Sequence, residues 1–125
     1  MSPKQVVRNF WQAMNSNDFS KASEWLSHDF EGHWPQSGEL IDGRENFIAI
    51  NTHYPAHGKW QFVINSIVAE CNDVVTDVSI TDGVQSARAI TFHLVEAGKI
   101  VKQKEYWPDD YPAPKWRAEW VQQIG

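Results

Sequence analysis

Lys99-Ile-Val-Lys-Gln-Lys-Glu-Tyr-Trp107 alternates as a β-strand does. Lys102, Lys104 and Tyr106 share one face, and Val101, Gln103, Glu105 and Trp107 share the other. Glu105 is therefore aimed away from the lysines and toward the apolar side of the sheet this strand joins. A carboxyl group so placed is either a structural acid held by hydrogen bonds or the centre of a ligand pocket. Upstream, residues 84–95, Asp73–Thr81 and residues 60–69 repeat the same period of two. Asp82-Gly83 is a strong signal for a two-residue hairpin, and Glu96-Ala97-Gly98 suits a three-residue one. Four consecutive antiparallel strands follow from this pattern.

The first half of the chain has helical spacing instead. Ser2-Pro3 supplies an N-cap and a proline for the first turn, and Val6, Val7, Phe10, Trp11 and Met14 recur on one side of the helix that follows. Asn15-Ser-Asn-Asp18 stops it. A second helix carries Phe19, Ala22, Trp25 and Leu26. A short strand at residues 30–34 ends at Pro35, and residues 36–39 form a turn. A third helix, Arg44–His53, presents Phe47, Ile48 and Ile50. The Pro-rich segment at 108–114 is a fixed extended crossing before a short C-terminal helix with Trp116 and Trp120. Helices early and a meander late predict one α+β domain over residues 1–125, with its helices on one sheet face.

Composition narrows the function classes. A net charge of −5 and no basic stripe argue against nucleic acid and against an anionic membrane surface. One cysteine, Cys71, excludes an internal disulfide and a thiolate metal cluster, and it sits in a turn. Five histidines lack ligand spacing, so no metal and no cofactor are expected. No phosphate-binding glycine loop or nucleophile elbow is present. The N-terminus lacks a signal-peptide core and no run is long enough for a membrane span, which predicts a soluble cytoplasmic protein.

Hairpin counting assembles a candidate site. The Asp82-Gly83 loop pairs Thr81 with Val84 and sets Asp77 opposite Arg88, a structural or interfacial ion pair. The Gly98 turn pairs Val95 with Lys99, and so sets Thr91 opposite Gln103 and Ala89 opposite Glu105. Glu105, Gln103, His93, Thr91 and Trp107 then share a face with the small residues Ala87 and Ala89. Polar groups among aromatics with room beside them suit a small-molecule site. The other face carries Arg88, Ile90, Phe92, Leu94, Ile100 and Tyr106, an apolar patch expected to form a homodimer.

The element order, with Trp34-Pro-Gln-Ser-Gly-Glu39, Gly43-Arg-Glu-Asn-Phe47, the Gly98-Lys-Ile100 hairpin and the segment from Glu105 to Arg117, resembles the SnoaL-like group of the nuclear transport factor 2-like superfamily. The resemblance covers nearly the whole chain. It implies a cone-shaped, curved antiparallel sheet wrapped by three N-terminal helices, a ligand cavity in the cone's mouth and a dimer through the sheet. In many SnoaL-like cyclases the last strand reads Gly-Lys-Ile-Val-x-His-Trp-Asp and ends on an acid/base aspartate. On Gly98-Lys-Ile-Val101 that aspartate falls on Glu105 and the histidine on Gln103. The resemblance thus implies cyclase or isomerase chemistry in which Glu105 removes a proton next to a carbonyl. Gln103 and the indole of Trp34 or Trp107 steady the oxygen, and Phe10, Met14 and Tyr54 form apolar wall. The ligand is apolar or contains a carbonyl. The alternative is a non-catalytic, dimeric ligand-binding or interaction module on the same fold.

Overall fold

A computed structural model describes all 125 residues. The elements run α1 (Pro3–Met14), α2 (Phe19–Ser23), β1 (Leu26–Trp34), β2 (Glu39–Asp42), α3 (Arg44–His53), β3 (Gln61–Glu70), β4 (Asp73–Thr81), β5 (Ser86–Glu96) and β6 (Lys99–Tyr106). The six strands form one sheet in the order β2-β1-β6-β5-β4-β3. Every neighbouring pair is antiparallel except β1 and β6, which run parallel. Irregular registers in the β1–β6, β3–β4 and β5–β6 pairs bend the sheet around the helices.

Local chemistry explains the start of α1. Ser2 Oγ accepts from the N–H of Gln5, and Pro3 opens the first turn. The helix buries Val6, Val7, Phe10, Trp11 and Met14 against β3 to β6. After it, two side-chain amides act as an extra strand edge. Asn15 accepts from the N–H of Phe62 at 2.8 Å and donates to the same residue's carbonyl at 3.0 Å. Asn17, at a left-handed φ of 61°, exchanges two such bonds with Trp60, both 2.8 Å. These pairs tie the end of α1 to the start of β3 and fix where Trp60 and Phe62 enter the fold.

Several boundaries differ from the sequence reading. The second helix ends at Ser23, and Leu26 already belongs to β1, where it pairs with Ile100. The expected turn at 36–39 leads into the short strand β2, whose one buried residue, Ile41, gives periodicity little to register. The expected C-terminal helix is a single 3-10 turn, Lys115–Arg117. Pro112 and Pro114 remove two donors just before it, and no side chain caps it.

Both hairpin registers also differ. Thr81 pairs with Ser86, not Val84, because the Asp82 carboxylate accepts from the N–H groups of Val84 and Gln85 and closes a four-residue loop. Ser79 therefore lies opposite Arg88 and Asp77 opposite Ile90. Arg88 still reaches Asp77 diagonally, with contacts of 2.8 and 2.6 Å. Ala97 and Gly98, at φ 51° and 78°, form a two-residue turn that pairs Glu96 with Lys99. Val101 then bulges out of register, and Thr91 faces Glu105 while His93 faces Gln103. The first slip is by two residues; the second is by one before the bulge and by two beyond it, so the side chains past the bulge keep their expected face. Ile100, before the bulge, turns inward to full burial instead of staying on the outer patch.

The core between helices and sheet includes Phe30, Leu26, Phe47, Val74, Val78 and Val95. Phe30 is completely buried and meets Phe47 edge to face at 5.8 Å. We expect Phe30→Ala to cost about 3–5 kcal/mol in a urea titration, because the site cannot collapse around the missing ring. A loss below about 1 kcal/mol would show that the β1–α3 contact carries little of the stability.

Candidate functional site

The inward face of β6 and the helices enclose a cavity of about 100 Å³. Phe10, Trp11 and Met14 of α1, Phe47 and Asn51 of α3, and Trp34 of β1 line it together with Trp60, Phe62, Gln103, Glu105 and Trp107. Exposed Tyr54, Gln85, Ser86 and Ala87 form its rim. An enclosed cavity of about 150 Å³ accepts benzene, so this one suits a small ring or short chain. Trp107 is anchored through its backbone: its N–H donates to Gln36 Oε1 at 2.6 Å and its carbonyl accepts from Gln36 Nε2 at 3.3 Å. Its ring meets Trp34 edge to face, at 6.2 Å and 87°.

Glu105 stands in this wall with both oxygens engaged. The indole N–H of Trp34 donates to Oε1 at 3.1 Å, and the hydroxyl of Thr91 donates to Oε2 at 2.6 Å. Burial pushes the carboxyl above its ordinary value, while the bonds from Thr91 and Trp34 pull it partly back. The net rise makes it a stronger base when ionised than a solvated glutamate.

A second polar group lies behind the wall. His93 is 2% exposed, packed edge-on against Phe10 and Trp11. Its Nε2 lies 2.9 Å from Thr76 Oγ1, and its Nδ1 lies 3.1 Å from the Gln103 amide. Trp11 donates its indole N–H to the same Thr76 hydroxyl at 3.2 Å. Burial lowers the pKa of the ring from 6.5 to about 3, so the imidazole is neutral.

The sequence pattern of the SnoaL-like domain matches residues 7–103. The chain belongs to the SnoaL-like domain family. Among solved structures, this SnoaL-like chain is 33% identical to an NTF2-like protein of unknown function from Burkholderia xenovorans LB400, with a TM-score of 0.81 over 98% of this chain and 95% of that one. A Kribbella flavida protein described as a candidate ketosteroid isomerase matches with a TM-score of 0.90 at 24% identity, over 98% and 90% of the two chains. An LEH-like epoxide hydrolase of Mycobacterium tuberculosis matches with a TM-score of 0.69 at 17% identity, over 85% and 82%. The last two likenesses are of fold alone. No match to a functionally curated protein was found.

Of the residues singled out in the SnoaL-like sequence, Glu105, Trp34, Gln103, Trp107, Tyr54, Phe10 and Met14 line one cavity. Thr91 and His93 do not. Both are buried behind it, Thr91 holding Glu105 and His93 contacting Gln103. The Trp34 indole is committed to Glu105, so it is no free donor for a ligand oxygen. Asp77 and Arg88 pair outside the cavity. Nowhere do three His, Cys, Asp or Glu side chains converge as metal ligands would. No helix is long and apolar enough to cross a membrane. Periodicity did not signal Ile41, Asn51, Phe62, Gln85 and Ser86 as lining residues, because strands and loops far apart in sequence bring them together.

The neutral His93 sets a pH dependence. In the unfolded chain the ring binds a proton below about 6.5, and in the folded protein only below about 3. Between those values the unfolded state holds the extra proton, so stability falls as pH falls, by about 1.4 kcal/mol per unit. Urea midpoints across this window should drop more steeply for the wild type than for His93→Gln. Parallel curves would contradict a neutral buried imidazole.

Proposed function

We propose that the chain is a proton-transfer enzyme of the cyclase or isomerase type, acting on a small apolar molecule that contains a carbonyl. The observation that carries this reading is the carboxyl of Glu105, held in the wall of an apolar cavity with its pKa raised by burial. Ionised Glu105 takes a proton from the carbon next to the carbonyl. The C–H bond pair becomes the enolate double bond, and the carbonyl π pair moves onto oxygen. Returning the proton to another carbon completes an isomerisation, and attack of the enolate on a second carbonyl closes a ring. The cavity admits only the reacting end of a larger substrate, whose remainder lies at the rim of Tyr54, Gln85 and Ser86.

One observation favours a second reading, that of a binding module without chemistry. Trp34 and Thr91 already satisfy an oxygen each of Glu105, and His93, buried behind the wall, cannot shuttle protons to a ligand. The two readings separate in one assay. Wild-type protein should speed exchange of the α-hydrogens of cyclopentanone in deuterated water, followed by proton NMR, and Glu105→Gln should lower that rate by about 10²–10⁴-fold. Equal exchange by the two proteins, or none above buffer, would contradict the enzymatic reading. Glu105→Gln should also be at least as stable as the wild type at neutral pH. A raised folded pKa means that stability is lost as pH rises from the unfolded value to the folded one, and the amide carries no such loss.

The same reading includes a homodimer through the outer sheet face, in a cytoplasmic protein. Support comes from Phe92, 45% exposed, with half-buried Ile90 and Tyr106 beside it and Arg88 at the edge. A shallow depression of about 660 Å³ lies over Leu40, Phe92 and Leu94, with Glu31, Lys102 and Lys104 as mixed charge. Trp116 and Trp120, each 74% exposed, add apolar area in the tail. A second copy, self-complementary in charge, covers such a surface. Sedimentation equilibrium should give twice the chain mass, and Phe92→Asp should give the single chain mass. A monomeric wild type would overturn the dimer.

A further inference from the structure

The buried chain Trp11–Thr76–His93–Gln103 has one consistent arrangement of protons. Thr76 is fully buried, and its hydroxyl has two partners, the Trp11 indole at 3.2 Å and His93 Nε2 at 2.9 Å. An indole N–H only donates, so Thr76 Oγ1 accepts from Trp11 and must give its own proton to His93 Nε2. An imidazole that accepts at Nε2 carries its proton on Nδ1. Nδ1 faces the Gln103 amide at 3.1 Å, with the amide's Nε2 placed toward it, and an N–H on Nδ1 requires an acceptor there instead. The oxygen and nitrogen of an amide are interchangeable in shape, and the hydrogen-bond chain decides between them. Oε1 of Gln103 therefore turns inward to His93. The opposite assignment, with the amide nitrogen donating to Nδ1, leaves the Thr76 proton buried without an acceptor.

The amide's other end has no protein partner, and no buried side-chain polar atom in the protein lacks one, so that end opens into the cavity Gln103 lines. We infer that His93 is a positioning residue which fixes Gln103 as a hydrogen-bond donor to the cavity, two residues along β6 from Glu105, so that the site selects a ligand with an acceptor oxygen. This rests on the proposed proton-transfer reading for its substrate class: the oxygen is the carbonyl whose charge grows as Glu105 removes the neighbouring proton. A donor already turned toward that point costs no rearrangement when the charge develops. His93 does this without touching the ligand. His93 also packs against Phe10 and Trp11, but Gln103 is its one hydrogen-bonded neighbour in the cavity wall, so its tautomer acts on the cavity through that amide.

The test reads the tautomer itself, in the folded wild-type protein labelled with nitrogen-15. A long-range proton–nitrogen correlation spectrum, with the His93 signals assigned by their loss in His93→Gln, should show Nδ1 protonated and Nε2 bare. The Gln103 side-chain N–H₂ protons, which then face the open cavity, should exchange with solvent rapidly. A protonated Nε2 with a bare Nδ1, a ring protonated at both nitrogens, or a Gln103 N–H proton protected from exchange would each overturn the inference. A second arm uses Gln103→Met, similar in length and unable to donate. Cyclopentanone exchange should slow by about 10²–10³-fold, and an unchanged rate would overturn the donor role. If the wild type catalyses no exchange, the proton-transfer reading fails while the tautomer measurement still decides how Gln103 is held.

Discussion

A carboxyl group held half out of water, by one indole N–H and one hydroxyl, is the constraint around which this site is built. Ionised carboxylates are costly to bury, and the chain places no cation beside Glu105 to offset that cost. It uses two neutral donors instead, Trp34 from β1 and Thr91 from β5, on either side of β6. The arrangement needs the parallel β1–β6 pair, because only there does the edge of β1 deliver Trp34 to the carboxyl. It also needs the β5–β6 bulge, which puts Thr91 directly across from Glu105. Small register features therefore set the electrostatics of the cavity.

The same sheet carries a second polar system whose logic is the reverse. His93 is kept neutral by burial and is bonded to neutral partners at both nitrogens. Glu105 lines the cavity, whereas His93 lies buried behind its wall. Three side-chain amides, Asn15, Asn17 and Gln36, hold the surrounding aromatics by imitating backbone pairing. Trp60, Phe62 and Trp107 thus reach the cavity on fixed main chain, which suits a site that has to keep its shape when empty.

Much of this was legible in the sequence, for a specific physical reason. Side chains alternate along a strand, so the face of Glu105, Gln103, His93 and Thr91 followed from period two alone. The registers did not, since the Asp82 carboxylate capped its own loop and Val101 bulged. Where a slip was by two residues alternation absorbed it; Ile100, before the bulge, slips by one and turns inward. Less visible was whatever depends on pairing between distant segments. Nothing local marks Glu39–Asp42 as a strand or β1 as the neighbour of β6. Whether Trp34 serves the ligand or the carboxyl is likewise a matter of reach across strands. The domain match over residues 7–103 bears out the family resemblance; it takes in the phrase around Trp34 and stops short of the one that begins at Glu105.

Burial lifts the affinity of Glu105 for its proton, against the pull of Thr91 and Trp34. Selective carbon-13 labelling of glutamate side-chain carboxyls, with Glu105 assigned by its absence in Glu105→Gln, allows a direct NMR titration of that group. A midpoint above the ordinary value of 4.5 is the predicted result. A midpoint at or below that value would mean that the two donors outweigh burial, and that the carboxyl is a structural ion rather than a base.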